Sequence, residues 1–599
     1  MIRNLRVRLV SSKIELRILQ LDLSSRSVTT RKLNASPSDY FVGGRGLASM
    51  ITYDDVRAHN FDVLVIAPGF LLGILPFASK SSICGINELT HTFVSSTFGG
   101  QFGLELRRSG VDAIVIRGQS ANLTVIVIDG YDDVRFMDAG SLVNLGSYRT
   151  IDHLKGSLGN EYSVLAIGPA GENLVRFANA IADKSGVAGR SGVGMVLGNK
   201  RVKALAIHGH KSMKEVFREK GIEIRSAHLE RKIKVLTRNV LEANAVAKSF
   251  SKQGTLGLIE SLSSLGRLPA RYWQSRYSKN KSQRLLSEVL QRVVAKDTCG
   301  GCPVKCKNVV HVGDRYVYGV EYEGVACFGP LLGIDNTAST LELYCLANEM
   351  GMDVISLAHT LALYVHASGK ENSSAEDLAR LIEKISSRKG IGNLLADGEA
   401  AVADHFNVNN YAMISGGLGW EALDTKGLSA STLAHVTSTR GADHLRGLPD
   451  IELILPIELI DEVATSKLGD LIYEVFGNLR LVADEKAKTV LRLLLLSECW
   501  KSLVDILGIC KFMAQLENIF FEIPISQTDI IGLLSILSKS GVSFRDVLKM
   551  GKDAVLIEHR INEALGRTFS VDDIPDRLRC GGISSLENAL SIYKSVYKD

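Results

Sequence analysis

Residues 112–118, DAIVIRG, and 123–130, LTVIVIDG, are two short apolar runs, each closed by a glycine. Both are rich in β-branched residues and too short for stable helices, so they read as strands bounded by turns. The same texture recurs in DVLVIAP (62–68) and SVLAIGPAG (163–171). Residues 14–210 therefore form a sheet-rich first domain. From about residue 225 the spacing becomes helical, as in VLTRNVLEANAVAKSFSKQ, LLSEVLQRVVAKD and LELYCLANEMGMDVISLAHTLALYV (341–365). Helical patterns then run to the end, and LRLLLL (491–496) reads as buried helix. The segment 310–330 reads as a hairpin carrying Glu321-Tyr-Glu323 on its strand. The expected class is α+β, with a β-rich domain over 1–220 and mainly helical domains over 221–430 and 431–599.

The 599 residues are 46% hydrophobic, enough for a large core and several domains. A net charge of +5 with no Lys/Arg stripe gives no footprint for nucleic acid. Nine cysteines in a chain this long do not make a secreted disulfide framework. The N-terminal MIRNLRVRLVSSKIELRILQLDLSS is broken by charges and lacks a cleavage site, so it does not read as a signal peptide. No apolar run reaches membrane-span length. A cytoplasmic protein is expected.

Three cysteines form one run, Cys299-Gly-Gly-Cys302-Pro-Val-Lys-Cys306, and Cys510 stands far downstream in DILGIC (505–510). Four thiolates are the donor set of a [4Fe–4S] cluster. Gly300, Gly301 and Pro303 would let the backbone wrap such a cluster and turn N–H groups to its sulfurs. Zinc is the competing occupant, although zinc ribbons usually pair two C-x2-C knuckles and this run has x3 in its second gap. Cys84, Cys327, Cys345, Cys499 and Cys580 are scattered and read as small buried hydrophobes.

Three glycine-rich segments lie in the β region: Phe41 to Gly46, Phe98 to Gly103, and Gly186 to Gly194. Each could present backbone N–H groups to phosphate, or simply turn the chain. None has the dinucleotide fingerprint or a Walker A lysine.

Taken in order, LQLDLSS, YFVGGRGLA, IGPAGENLVRFA (167–178), AGRSGVGMVLGNKRVKALAI (188–207), CGGCPVKC, EYE, TSTRGADHLRG (437–447) and DILGICKF (505–512) resemble the tungsten-containing aldehyde ferredoxin oxidoreductases. The likeness runs almost end to end. It implies a two-sheet β base, helical second and third domains, and a tungsten (or molybdenum) bis-pterin beside a [4Fe–4S] cluster. It further implies a magnesium ion bridging the pterin phosphates, oxidation of aldehydes, ferredoxin as electron acceptor, and a monomer or homodimer.

Carried over by position, Cys299, Cys302, Cys306 and Cys510 match the cluster ligands. Asp505 to Cys510, with Ile509 inside it, matches one pterin-binding motif. Asn348 to Asp353 matches the other, with Asn348 where the family has Asp. Gly99 and Gly100, and the segment Gly186, Val187, Ala188, Gly189 and Arg190, match the phosphate cradle. Thr97 stands for an Asn whose carbonyl holds the magnesium, opposite Val187. Lys80 stands for an Arg between cluster and pterin, and Arg446 for a Lys. Glu323 is the expected base, Glu321 on the same strand face its fallback, and His444 the hydrogen-bond donor. Alternatives kept open are acid or thioester reduction on the same fold, and a non-catalytic iron–sulfur paralogue.

Overall fold

The structure, a computed structural model, describes residues 13–222, 227–243, 245–425, 427–453, 455–482, 484–514, 527–538, 541–579 and 583–598. Cys580 and the first part of the basic N-terminal segment lie outside these residues. The N-terminal region folds as two six-stranded sheets. The first contains β1 (Ile14–Asp22), β2 (Ser27–Ala35), β3 (Leu64–Pro68), β4 (Ser81–Asn87), β5 (Thr92–Phe98) and β6 (Ala113–Arg117), in the order β2-β1-β6-β3-β4-β5. The second contains β7 (Thr124–Asp129), β8 (Asp133–Asp138), β9 (Ser163–Ala166), β10 (Ala180–Ala182), β11 (Gly186–Ala188) and β12 (Val202–His208), in the order β11-β10-β9-β12-β7-β8. The pairs β1/β6 and β12/β7 are parallel and the other pairs antiparallel.

Between the sheets lies a dry layer that includes Leu19, Ile66, Ile83, Ile114 and Ile116 from one side and Ile126, Ile128, Leu165, Leu205 and Ile207 from the other. The outer faces pack into a second, larger cluster shared with the helices. Strands covered on both faces need apolar side chains throughout, which is why they read as continuous runs rather than alternations.

Helices dominate the rest. Those used below are α1 (Gly44–Arg57), α2 (Thr337–Met350), α3 (Val354–Ala367), α4 (Ala430–Thr437), α5 (Glu485–Leu507), α6 (Phe544–Ala564) and α7 (Ile583–Val596). Among the described residues no helix is long and apolar enough to cross a membrane.

Two local expectations are corrected. In LLSEVLQRVVAKD the helix stops at Leu290, and Val293–Asp297 is a strand antiparallel to Lys307–Val312. Its β-branched valines suit a pleat better than a fifth helical turn. The hairpin Lys307–Val312/Arg315–Val320 ends before the EYE segment. Glu321 is the residue preceding a short helix, Tyr322–Ala326, and Glu323 lies in its first turn. The two carboxylates therefore do not share a strand face.

The sheets and helices are joined by two matching clasps. α2 and α5 each end on a left-handed glycine, Gly351 at φ +77 and Gly508 at φ +75. The residue after each glycine makes a bridge to an alanine in a loop of the β region: Ile509 to Ala78, and Met352 to Ala178. At the first clasp Phe70 N–H donates to Ile506 O, Leu71 N–H to Leu507 O, Lys80 N–H to Gly508 O and Cys510 N–H to Phe77 O, all at 2.9–3.0 Å. At the second, Asn179 N–H donates to Gly351 O and Asp353 N–H to Phe177 O, both at 2.9 Å. A Cβ at Gly508 would lie 2.7 Å from Gly69 Cα and 2.8 Å from Lys80 O. Gly508→Ala combines a left-handed backbone with a backbone clash, and is expected to destabilise by about 2–4 kcal/mol. A thermal midpoint equal to that of the wild type would show that the clasp tolerates a side chain.

Candidate cofactor and acid–base site

The clasps decide what lies under the helical domains. Cys510, leaving the first clasp, and Cys299 both lie within electrostatic reach of Lys80. A Cβ at Gly99 would be 2.6 Å from Cys299 Sγ and 3.0 Å from Lys80 Nζ. Burial alone would lower the Lys80 pKa, but Cys299, Cys510, Glu321 and Cys306 together hold it above its ordinary value. Burial likewise pushes the thiols of Cys302 and Cys306 up, to about 11 and about 12, with Cys510 adding to both. For Cys299, Lys307 and Lys80 outweigh burial and hold the thiol low. The four predicted cysteines thus form one group. Backbone N–H groups reach two of the sulfurs, from Gly100 to Cys299 and from Val304 to Cys302. Four soft donors around one ammonium suit an iron–sulfur cluster, and metal binding would displace the thiol protons.

The predicted cradle segments also meet. A Cβ on Gly186 would run into the carbonyl oxygen of Gly99, and Gly100 faces Ala182 and Gly186. Thr97 ends on the Ser82 hydroxyl, 3.4 Å away. Ala188 and Val187 pair with Ala180 and Ile181 in β11/β10. Gly189 packs on Asp353, where a Cβ would be 2.6 Å from Oδ1. Asp353 spends its carboxylate on Ser356 N–H and Arg190 N–H, capping α3. The Arg190 guanidinium turns into the helical region, donating to Gly419 O at 2.7 Å and to Ala442 O.

Each clasp also leaves one acceptor without a hydrogen bond, although Asp505 Oδ2 has Arg45 Nη1 3.9 Å away as an ion-pair partner. Asn348 Oδ1 and Asp505 Oδ2 are buried without a hydrogen-bond partner among the described residues. The other Asp505 oxygen takes Lys501 Nζ at 2.5 Å. Burial would raise the Asp505 pKa, but Lys501, Arg45 and Arg446 outweigh it and keep the carboxyl low. Two orphaned acceptors on matching turns fit a ligand with two donor-bearing rings, such as paired pterins, because a native fold seldom buries such atoms unmet.

Arg446 is not aimed freely at a ligand. Its Nη2 donates to both oxygens of Glu558, at 2.7 and 2.6 Å, leaving Nε unmet. Glu558 also accepts from Arg45, Ser49 and Thr439. Burial would raise its pKa, but Arg446 and Arg45 hold it far below the carboxylate range. It welds α1, the 439–446 loop and α6 together.

Glu323 and His444 sit with two residues that sequence reasoning missed, Glu421 and His435. Glu421 Oε2 lies 2.7 Å from His435 Nε2 and 3.4 Å from His444 Nδ1. His435 Nδ1 faces Ser431 O at 2.7 Å, one turn back in α4. Its ring lies flat on Trp420, 3.9 Å away at 4°. The Nδ1 partner is a carbonyl and the Nε2 partner a carboxylate, so the ring donates at both ends. Burial would raise the Glu421 pKa, but His435, His444 and Arg190 hold it well below the usual range. For Glu323 burial dominates, reinforced by Glu421, and raises the carboxyl to about 7. Glu321 is exposed, and its charge acts on a different set, Lys80, Cys306 and Tyr344.

The missed residues carried some signal. Glu558 follows Ala554 by four positions and Val555 by three, on the buried stripe of α6. Glu421 stands between Trp420 and Ala422, both fully buried.

A β base, capped by helices over thiols and a buried acid–base group, has the architecture of a cofactor-dependent oxidoreductase. The chain belongs to the aldehyde ferredoxin oxidoreductase family: residues 18–209 match its N-terminal domain and 232–591 its domains 2 and 3. The tungsten-containing aldehyde ferredoxin oxidoreductase of Pyrococcus horikoshii is 27% identical, covering 96% of this chain and 95% of its own. That of Thermococcus kodakarensis has the same identity and coverage. A Pyrococcus furiosus aliphatic sulfonate oxidoreductase, WOR-like subunit, is 26% identical over 72% of this chain and 74% of its own. Among solved structures, the active-site complex of benzoyl coenzyme A reductase with 1,5-dienoyl-CoA shares the fold at TM-score 0.76 and 19% identity, covering 97% of this chain and 94% of that one. The family implies a tungsten–pterin cofactor and an iron–sulfur cluster.

Removing one partner of a buried ion pair leaves the other charge stranded, at about 3–5 kcal/mol. Glu421→Gln is therefore expected to lower the thermal midpoint sharply, and Glu421→Gln/His435→Gln to recover part of the loss. Strictly additive losses in the double variant would show that the two residues are not coupled.

Proposed function

We propose that the protein oxidises aldehydes to carboxylic acids, R–CHO and water giving R–COOH, two protons and two electrons, with ferredoxin as acceptor. The observation carrying this reading is the placement of Glu321 and Glu323, two residues apart. The charge of the first acts on Lys80 and Cys306 of the thiol group and the second is coupled to Glu421 and His444, so the acid–base group lies within electrostatic reach of an electron outlet. When bound, a tungsten (or molybdenum) bis-pterin supplies the two-electron chemistry and the cluster carries electrons away.

The chain's own residues divide the remaining tasks. Cys299, Cys302, Cys306 and Cys510 hold the cluster, and Lys80 balances its charge. Asn348 Oδ1 and Asp505 Oδ2 would accept hydrogen bonds from the two pterin rings. The backbone of Gly99, Gly100 and Gly186 to Arg190 would receive the phosphates, and the carbonyls of Thr97 and Val187 would hold a magnesium ion. Glu323 takes a proton from water or the aldehyde hydrate; a carboxyl near 7 suits a base at neutral pH. His444 donates to the carbonyl oxygen, and Glu421 with His435 orients its ring. Arg446 acts indirectly, by fixing Glu558 and the loop that carries His444.

A second reading, reduction of an acid or thioester on this fold, draws on neutral Asn348 where the resemblance expects a carboxylate. Relatives of nearly equal identity also carry different substrate names. Tungsten-loaded protein should reduce benzyl viologen with an aldehyde panel; inertness toward aldehydes, with turnover of acids or thioesters under reduced viologen, would favour the second reading. The acidic limb of the kcat/KM profile is expected to rise through about pH 7, where Glu323 ionises. Glu323→Gln should cut kcat/KM by roughly 10²–10⁴-fold and erase that limb. A limb that persists in this variant assigns the base elsewhere.

A further inference from the structure

The second sheet carries, away from β11 and the cradle, a ligand cluster that this chemistry does not use. β7 and β12 run parallel with Asp129 opposite His208 in register, so both side chains leave the same face at the strand ends. Gly130 N–H donates to His208 O at 2.9 Å and fixes the pair. Gly209 follows, its N–H on Glu105 Oε2 at 3.0 Å. A Cβ there would lie 2.5 Å from Glu105 O and would also strike Arg108. The chain thus turns tightly against α-helical residues 105–108 and brings His210 back to the same carboxylate. Asp129 Oδ1 is 2.7 Å from His210 Nε2 and 3.4 Å from His208 Nδ1. One ligand atom from each residue lies within 4.8 Å of the other two. The Tyr162 hydroxyl bonds to Asp129 and its ring backs His208 at 5.3 Å, orienting the donors from behind.

We propose that Asp129, His208 and His210 bind a divalent transition-metal cation, with Zn²⁺ the best fit. Two imidazoles are borderline donors, and with one carboxylate they suit zinc and its neighbours better than calcium or magnesium, which take all-oxygen sets. Ligand atoms around tetrahedral zinc, each about 2.0–2.1 Å from the metal, lie about 3.3 Å apart. The Asp129–His208 distance already meets that spacing, and the Asp129–His210 pair needs to open by roughly 0.6 Å. A plain ion pair would need only one histidine; the second is delivered by the tight turn at Gly209. His210, whose side chain is 57% exposed, leaves the fourth position to water. The site is structural: it ties the ends of β7 and β12 to the turn after them.

The test uses the intact enzyme, washed with EDTA and titrated with ZnCl₂, zinc being counted by mass spectrometry after gel filtration. The wild type is expected to retain one more zinc per chain than His210→Gln or His208→Asn. Its thermal midpoint should rise with zinc where theirs does not. Should His208→Asn fail to fold, the exposed His210→Gln carries the comparison alone. Equal zinc counts in wild type and His210→Gln overturn the proposal, whatever the midpoints do.

Discussion

The backbone pairing of two helix ends onto two sheets is the constraint on which the rest of this structure depends. Each pairing needs a left-handed glycine at the helix end, and a loop close enough to exchange main-chain hydrogen bonds with it. Gly508 and Gly69 approach so closely that neither can carry a side chain. At the second clasp, a Cβ on Gly351 would lie 2.5 Å from Gly168 N. Once both clasps are closed, Asp505 and Asn348 point inward from the last helical turns, and Cys510 and Asp353 lie on their far sides. These residues are therefore positioned by main-chain hydrogen bonds.

Around this frame the protein buries more charge than a hydrophobic core needs. Glu558 gathers Arg45 and Arg446, and Glu421 gathers His435, His444 and Arg190. Glu498, held by the Tyr593 and Tyr597 hydroxyls of the α7 region, is pushed by burial to about 7. Such groups contribute little net stability compared with apolar residues of similar size. They do fix distances and charge states, which an acid–base centre requires. The low Glu421 and high Glu323 pKa values, side by side, illustrate how neighbouring carboxyls acquire different roles.

The strands were legible because doubly buried β runs leave a simple trace: DVLVIAP and DAIVIRG became β3 and β6 almost to the residue. The cysteine group was legible because thiols in that spacing have few uses. VVAKD was misread because valines fit helical spacing on paper but a pleat in three dimensions. The face shared by Glu321 and Glu323 failed because nothing local marks the switch from strand to helix at Val320. Glu421, His435 and Glu558 were not found because their partners lie far off in sequence. A lone acidic residue among apolar neighbours says that it is buried, not what meets it.

The clasp between Lys80 and Gly508 joins residues more than four hundred positions apart. Contacts so distant in sequence carry a high loop-closure cost and cannot form until the C-terminal part of the chain is present. The thiol group has the same property, since Cys510 reaches the other three only when α5 has docked. The completeness of the thiol group is thereby linked to that of the chain: until the last third is in place, only three of these four thiols are present. A chain cut short of α5 lacks both Cys510 and the clasp that carries it.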